Sequence, residues 1–159
     1  MDAFELMMND HRKVSEIFDR LESGDASLRR ELFPRLKQEL DIHAHVEETI
    51  FYPALKEHAE TRDLATHAYS EHNEVKTMLE ELQAGLDGTD SGAWGTKLTK
   101  LRRSVEHHVQ EEEGNMFTRA RAALDAEQLA QLSRRMTEAK QQQQAVLGAT
   151  KSMGANAGD

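Results

Sequence analysis

Two copies of one motif constrain this chain more than anything else in it. Each is a histidine followed four residues later by a glutamate, His43–Glu47 and His108–Glu112, set in an apolar run at helical spacing. Residues four apart share one face of a helix, one turn apart. Leu36 and Leu40 precede the first pair on its face and Ile50 follows; Leu101 and Val105 precede the second and Met116 follows. A helix would thus bury a His and a Glu where the pattern calls for core. Such burial is costly unless both polar groups are compensated, and a metal ion compensates both.

The duplication extends beyond the pairs. Laying residues 33–53 over 98–118 matches Phe33 with Leu98, Leu36 with Leu101, Leu40 with Val105, Glu48 with Glu113 and Tyr52 with Phe117. A lone histidine occupies the apolar seam upstream of each copy, His11 beside Phe4, Met7, Val14 and Phe18, and His72 beside Ala65, Tyr69, Val75 and Leu79. The chain reads as two helical hairpins of one kind, each supplying a His and then a His-x-x-x-Glu.

The seams predict helices over about 3–22, 28–58, 60–86 and 95–123, with Pro53 kinking or ending the second. Gly24 is placed to end the first helix and Ser27 to cap the second; Gly85 to Gly95 is the clearest loop. Asp125 and Gln128 form a capping-box pattern for a fifth helix to about 147, which carries four consecutive glutamines (141–144) suited to an exposed face. Residues 148–159 are small and polar and read as a flexible tail. The expected organisation is therefore an all-α, up-down-up-down four-helix bundle over 1–124, a C-terminal helix over 125–147 packed on or extending from it, and a tail. Two prolines and an abundance of Ala, Leu, Glu, Lys and Gln agree with an all-helical chain. Counted from the expected helix ends, the four seam histidines fall at depths that agree to within roughly one turn at about 1.5 Å per residue. In such a bundle all four reach one layer.

One histidine in an apolar seam is usually an ordinary core residue. Four at one level, two of them with seam-facing glutamates, are hard to explain as packing, because two buried carboxylates without cations cost several kcal/mol. Four imidazoles and two carboxylates over-supply one cation. Two cations, each with two imidazoles and both bridged by the glutamates, use every group and leave about two positions open on each if six-coordinate. With no cysteine in the chain, thiolate sites are excluded, and nitrogen with oxygen suits iron first, then manganese or zinc. His107 and Glu111 repeat the spacing, but their face continues back through Lys100 and Ser104 and reads as solvated; His45, His58 and His67 lie off the seams and are expected at the surface. Glu48, Glu111 and Glu113 are expected outside the ligand set. Tyr69, one turn before His72, is placed to reach the pocket as a supporting donor or even a ligand, and an ordinary core tyrosine is at least an equal reading. Glu-x-x-His pairs of the ferritin type and the His-Glu-x-x-His of zinc proteases are both missing.

The formal charge of −9 argues against a nucleic acid or an anionic membrane as partner. The N-terminus is acidic and no apolar run is long enough to span a bilayer, so a cytoplasmic protein is expected.

With His11, His43-x-x-x-Glu47, His72 and His108-x-x-x-Glu112 in place, and Glu-Glu-x-x-Phe-Tyr-Pro after the first pair, the sequence resembles the hemerythrin-like (HHE cation-binding) domain family over roughly residues 3–123. The resemblance implies a non-haem di-iron centre with an oxo or hydroxo bridge, the four histidines as terminal ligands and Glu47 and Glu112 as bridges. It departs from the oxygen-carrying members at Lys76, where they have a second histidine, and Thr118 stands where the first repeat has Pro53. Lys76 argues against simple reversible oxygen carriage. The set is closer to members linked to iron–sulfur repair, to nitric oxide or peroxide chemistry, or to iron and oxygen sensing. The expected function is binding of, or reaction with, a small oxidant such as dioxygen, peroxide or nitric oxide, in oxidative or nitrosative stress or iron homeostasis. A non-catalytic sensor or an iron-storage and donor module is the alternative.

Overall fold

Asp2 starts the first helix by a reciprocal cap, its side chain accepting from the Glu5 N–H while Glu5 reaches back to the Asp2 N–H. That helix, α1, is Ala3–Ser23. The computed structural model describes residues 1–156, with side-chain surroundings through residue 148. After α1 come α2 (Ala26–Val46), a π-helical segment Glu47–Phe51, α3 (Tyr52–Lys56), α4 (Arg62–Gly85), α5 (Ser91–Glu111), a second π-helical segment Glu112–Met116, α6 (Phe117–Ala123) and α7 (Ala126–Asn156). Each π segment joins its flanking helices into one rod. The described residues thus form five rods and the all-helical bundle with an additional C-terminal helix that the sequence implies. No helix among them is long and apolar enough to cross a membrane.

Boundaries differ from the sequence expectation where polar caps compete with glycine. Asp25, rather than Ser27, caps α2 by accepting from the Leu28 N–H at 2.9 Å. Asp90 caps α5 through the Ala93 N–H at 2.9 Å, so that helix starts inside the stretch expected to be loop. The early start has a packing reason: Trp94 is buried, stacks edge-on against Phe33 and donates its indole N–H to the Leu82 carbonyl at 2.9 Å. Asp125 and Gln128 do form the expected reciprocal cap. The helix they start continues to Asn156, past residue 147; the last residues of the expected tail, 157–159, lie outside the described residues.

The core is divided in two. One cluster includes Phe4, Met7, Ile50, Phe51, Tyr52, Leu55 and Phe117, with Leu132 and Met136 of α7 packed into it. The other includes Val14, Phe18, Leu32, Phe33, Leu36, Leu79, Leu82, Leu98 and Leu101. Between them lies a layer of polar groups on four rods: buried His43, Glu47, His72, His108 and Glu112, and partly buried His11 of α1. Chain direction alternates along the bundle, so residues at matched depth meet there, as the loop offsets anticipate.

Helix α7 is tied to this layer. The Ser133 hydroxyl accepts from the Ala3 N–H at 2.8 Å, and Lys140 Nζ lies 2.5 Å from Asp10 Oδ1, a carboxylate that is itself buried. Lys140→Ala leaves Asp10 without its lysine partner and is expected to cost about 1.5–3 kcal/mol of stability. Urea unfolding of the metal-free protein measures it; a loss below about 0.5 kcal/mol, the range of ordinary surface substitutions, would remove α7 from the account.

Candidate metal centre

The two π segments give the layer its geometry. Each begins at a seam glutamate, and its wider turn closes with an N–H to C=O bond five residues long, Tyr52 to Glu47 and Phe117 to Glu112. A side chain five residues after the glutamate is thereby brought back to the bundle interior. Glu47, Tyr52 and Glu112 are fully buried and Phe117 nearly so.

All four seam histidines turn Nε2 into the layer. The Nε2 atoms of His11 and His43 are 3.2 Å apart, as are those of His72 and His108. Glu112 faces both pairs, Oε1 at 3.2 Å from His11 Nε2 and Oε2 at 3.2 Å from His108 Nε2. Glu47 Oε1 lies 2.7 Å from His43 Nε2 and 3.5 Å from His72 Nε2. Two groups result, His11–His43–Glu112 and Glu47–His72–His108, each with its donor atoms within 4.8 Å of one another and close enough to hold one ion.

The donor atoms suit cations better than they suit each other. Glu47 Oε1 and Glu112 Oε1 are buried and have no hydrogen-bond partner despite their short approaches to imidazole nitrogens. Nitrogens and oxygens that converge on a shared point, rather than aligning N–H with lone pair, produce this combination. A buried unsatisfied carboxylate oxygen is costly, and a bound cation removes the cost.

The outer ring nitrogens are equally ordered. His43 Nδ1 meets Asp10 at 3.0 Å, His108 Nδ1 meets Glu71 at 2.9 Å, and His72 and His11 meet Glu48 and Glu113, each at 3.3 Å. Carboxylates on Nδ1 fix the ring and leave Nε2 as the free donor, the usual support of a metal-bound imidazole. The internal repeat is kept here too. The acids just before His11 and His72 serve His43 and His108, and those just after Glu47 and Glu112 serve His72 and His11. In the metal-free protein burial opposes charge on His43 and His108. The acids around them outweigh it, holding His43 well above the usual imidazole range and pushing His108 up to about 10.

Tyr52 breaks the symmetry. Its hydroxyl lies 3.0 Å from Glu47 Oε2, 2.7 Å from Glu112 Oε2, 3.1 Å from His72 Nε2 and 3.2 Å from His108 Nε2. Its repeat counterpart is Phe117, which has no hydroxyl. Of the four histidines, only His72 and His108 therefore have this phenol within reach, while its closest contact is to Glu112 of the other group. Burial first, then Glu112 and Glu47, raises the Tyr52 pKa well above the usual phenol value, so the metal-free hydroxyl keeps its proton. Tyr69, the tyrosine singled out in the sequence, donates instead to the Glu48 carbonyl at 2.6 Å and stacks edge-on against Tyr52. It steadies the residue that enters the layer.

The remaining positions fall as follows. Lys76 is half-exposed and pairs with Glu48 at 3.2 Å. His107, Glu111, His67 and His45 are exposed, whereas His58, expected at the surface, is partly buried with its Nε2 covered. Asp10, Glu71 and Tyr52 are the contributors that helical periodicity missed. Tyr52 had a signal, its five-residue step from Glu47 combined with its place in the repeat; Asp10 and Glu71 had only their adjacency to His11 and His72. A cavity of about 40 Å³ adjoins all four histidines, its other walls including Val14, Leu40, Val75, Leu79 and Val105. It has the capacity of a very small molecule.

A protein from Nostoc sp., named a DNA nickase, is 29% identical over 152 residues, covering 93% of this chain and 42% of that protein. The chain thus spans less than half the length of that relative. A solved structure of a hemerythrin HHE cation binding domain-containing protein from Mycobacterium kansasii superposes with a TM-score of 0.80 at 23% identity, over 92% of this chain and 89% of that one, which shows the shared fold. The family model for the hemerythrin HHE cation binding domain matches residues 2–120, and the chain belongs to that family of cation-binding helical bundles.

Proposed function

We propose that this chain is a non-haem di-iron protein that binds or reacts with a small oxidant: dioxygen, peroxide or nitric oxide. His11 and His43 would hold one ion and His72 and His108 the other, with Glu47 and Glu112 shared. Supporting this most strongly are the two adjacent donor groups, in which Glu47 and Glu112 each aim a fully buried oxygen at imidazole nitrogens without an aligned hydrogen bond. Iron held there supplies open positions and reversible one-electron chemistry to a ligand. The chain's own residues do the rest. Asp10, Glu48, Glu71 and Glu113 orient the imidazoles, and Tyr52 offers a proton-bearing oxygen to Glu47, Glu112 and the His72–His108 pair. Val14, Leu40, Val75, Leu79 and Val105 keep the adjoining cavity small and apolar, which favours a diatomic molecule or peroxide over anything larger.

Aerobic addition of peroxide to the iron-loaded protein tests this reading. A change in the visible spectrum on peroxide addition is expected, and an unaltered spectrum counts against it. Tyr52→Phe keeps the core packing but removes the hydroxyl from both carboxylates. It is expected to weaken iron binding by roughly 10–100-fold, the usual effect of losing such a supporting contact. Competition with a chelator measures this, and an unchanged affinity sets Tyr52 aside.

A non-catalytic sensor or iron-storage module is the second reading. One observation favours the sensor form: His43, Asp10 and Lys140 make a continuous chain of polar contacts from the layer to α7. An oxygen electrode separates the two. Sustained oxygen release from peroxide marks an enzyme, and a single stoichiometric spectral change marks a sensor. The Nostoc relative's name raises DNA as a partner, but it belongs to a protein more than twice this length. The charge of −9 opposes a phosphate backbone, so we hold to a small-molecule ligand. A gel-shift with duplex DNA at low salt is expected to show no complex.

A further inference from the structure

A second constellation of metal-ligating side chains lies just outside the buried layer. Glu71 has two duties. Its Oε1 holds His108 Nδ1 at 2.9 Å, while Oε2 lies 3.8 Å from His67 Nε2 and 4.0 Å from His107 Nε2. Glu111 closes the group, with Oε2 at 3.8 Å from His67 Nε2 and Oε1 at 3.2 Å from His107 Nε2. The His-x-x-x-Glu spacing of the core thus recurs on the outside, as His67–Glu71 on α4 and His107–Glu111 on α5, side by side. The sequence places His107 and Glu111 on a solvated stripe; it could not show that a matching pair on α4 stands against them.

Distances separate a cation site from a hydrogen-bonded cluster. Contacts of 3.8–4.0 Å are too long for hydrogen bonds. Ligand atoms bound tetrahedrally at about 2.0–2.2 Å from one ion sit roughly 3.3–3.6 Å apart, so small side-chain rotations bring these atoms onto a single ion. The donor atoms of His67, Glu71 and Glu111 already lie within 4.8 Å of one another.

A separate feature gives this cluster a direction. A cavity of about 110 Å³ has exposed His67 and Glu111 on its wall together with buried His108 and Glu112. It touches both the surface group and two donors of the buried layer. We propose that His67, Glu71, His107 and Glu111 form an outer divalent-cation site that passes ions inward to the His72–His108 side of the buried centre. Mixed imidazole and carboxylate donors suit Fe²⁺ or Zn²⁺. The delivery role rests on the buried centre being a metal site; the outer site does not.

Two measurements on the full chain test this, using His67→Ala/His107→Ala, which removes two exposed rings and leaves every buried residue in place. In the first, iron-loaded protein is titrated with Zn²⁺ while released iron is monitored. Wild type is expected to take up one further Zn²⁺ per chain without losing iron, and the double variant none. Equal uptake by both proteins, or none by either, overturns the site. In the second, metal-free protein is mixed with Fe²⁺ under anaerobic conditions. The variant is expected to fill several-fold more slowly and reach the same final content; an unchanged rate overturns the delivery role. If wild type retains no inner iron yet binds one Zn²⁺ that the variant does not, the buried-centre reading fails and the outer site stands.

Discussion

Glu112→Ala is expected to leave at most one iron per chain and to cancel most of the heat stabilisation that loading confers on the wild type. The reason is positional: Glu112 faces His11 with one oxygen and His108 with the other, so its loss removes a donor from both groups at once. An ion bound at about a thousand times its dissociation constant stabilises the fold by roughly 4 kcal/mol. For a chain of this size that corresponds to roughly 8–16 °C in Tm per site. The quantity to compare is the difference in Tm between loaded and metal-free protein, taken separately for wild type and variant. That difference cancels whatever the substitution does to the bundle itself. A variant that holds two irons with an undiminished rise would show that Glu112 is not shared.

Phe51→Ala carries the second large effect, and Phe33→Ala is its control. Both rings are fully buried, and truncating either is expected to cost about 3–5 kcal/mol. They lie in different halves of the divided core. Phe51 packs edge-on against Phe4 and Phe117, with ring centroids at 6.3 and 6.1 Å, and lies tilted against Tyr52 at 5.7 Å. Phe33 packs on Trp94, in the cluster across the polar layer. Urea unfolding of the metal-free proteins should show similar losses. Iron affinity should separate them, falling for Phe51→Ala, where Tyr52 loses its support, and holding for Phe33→Ala. Equal affinity in the two variants would mean that packing around Tyr52 does not matter to the centre.

The polar layer was legible in the sequence because it violates the apolar pattern twice, at one spacing and in matching places. His11, His43, Glu47, His72, His108 and Glu112 each occupy a seam position, and the structure brings all six together. The bundle was legible for the same reason, since each rod buries one stripe at 3.6-residue spacing. What escaped follows from physics that a 3.6 period does not encode. A π segment adds a residue to the turn, so the face expected after Glu47 is rotated and Tyr52 arrives inside although it lies off the stripe. Asp10 and Glu71 serve histidines on neighbouring rods, and contact between rods is set by packing rather than by spacing along one of them. Trp94 drew α5 into a glycine-containing stretch because a buried indole and the Asp90 cap outweighed the local preference for loop.

Metal-free, the same six groups have a plainer interpretation, an imidazolium–carboxylate cluster buried for specificity. The raised His43 and His108 pKa values are compatible with it. Two observations weigh against it. Glu47 and Glu112 each keep an unsatisfied oxygen, and four separate carboxylates are used to turn four Nε2 atoms toward each other, a costly arrangement for a cluster without cations.

The most direct test is iron counted per chain after anaerobic Fe²⁺ loading, a brief chelator wash and desalting. The wash strips ions held at the surface, so what remains is held in the layer. Two irons per wild-type chain is the predicted result. Fewer than one would contradict a centre built from His11, His43, Glu47, His72, His108 and Glu112.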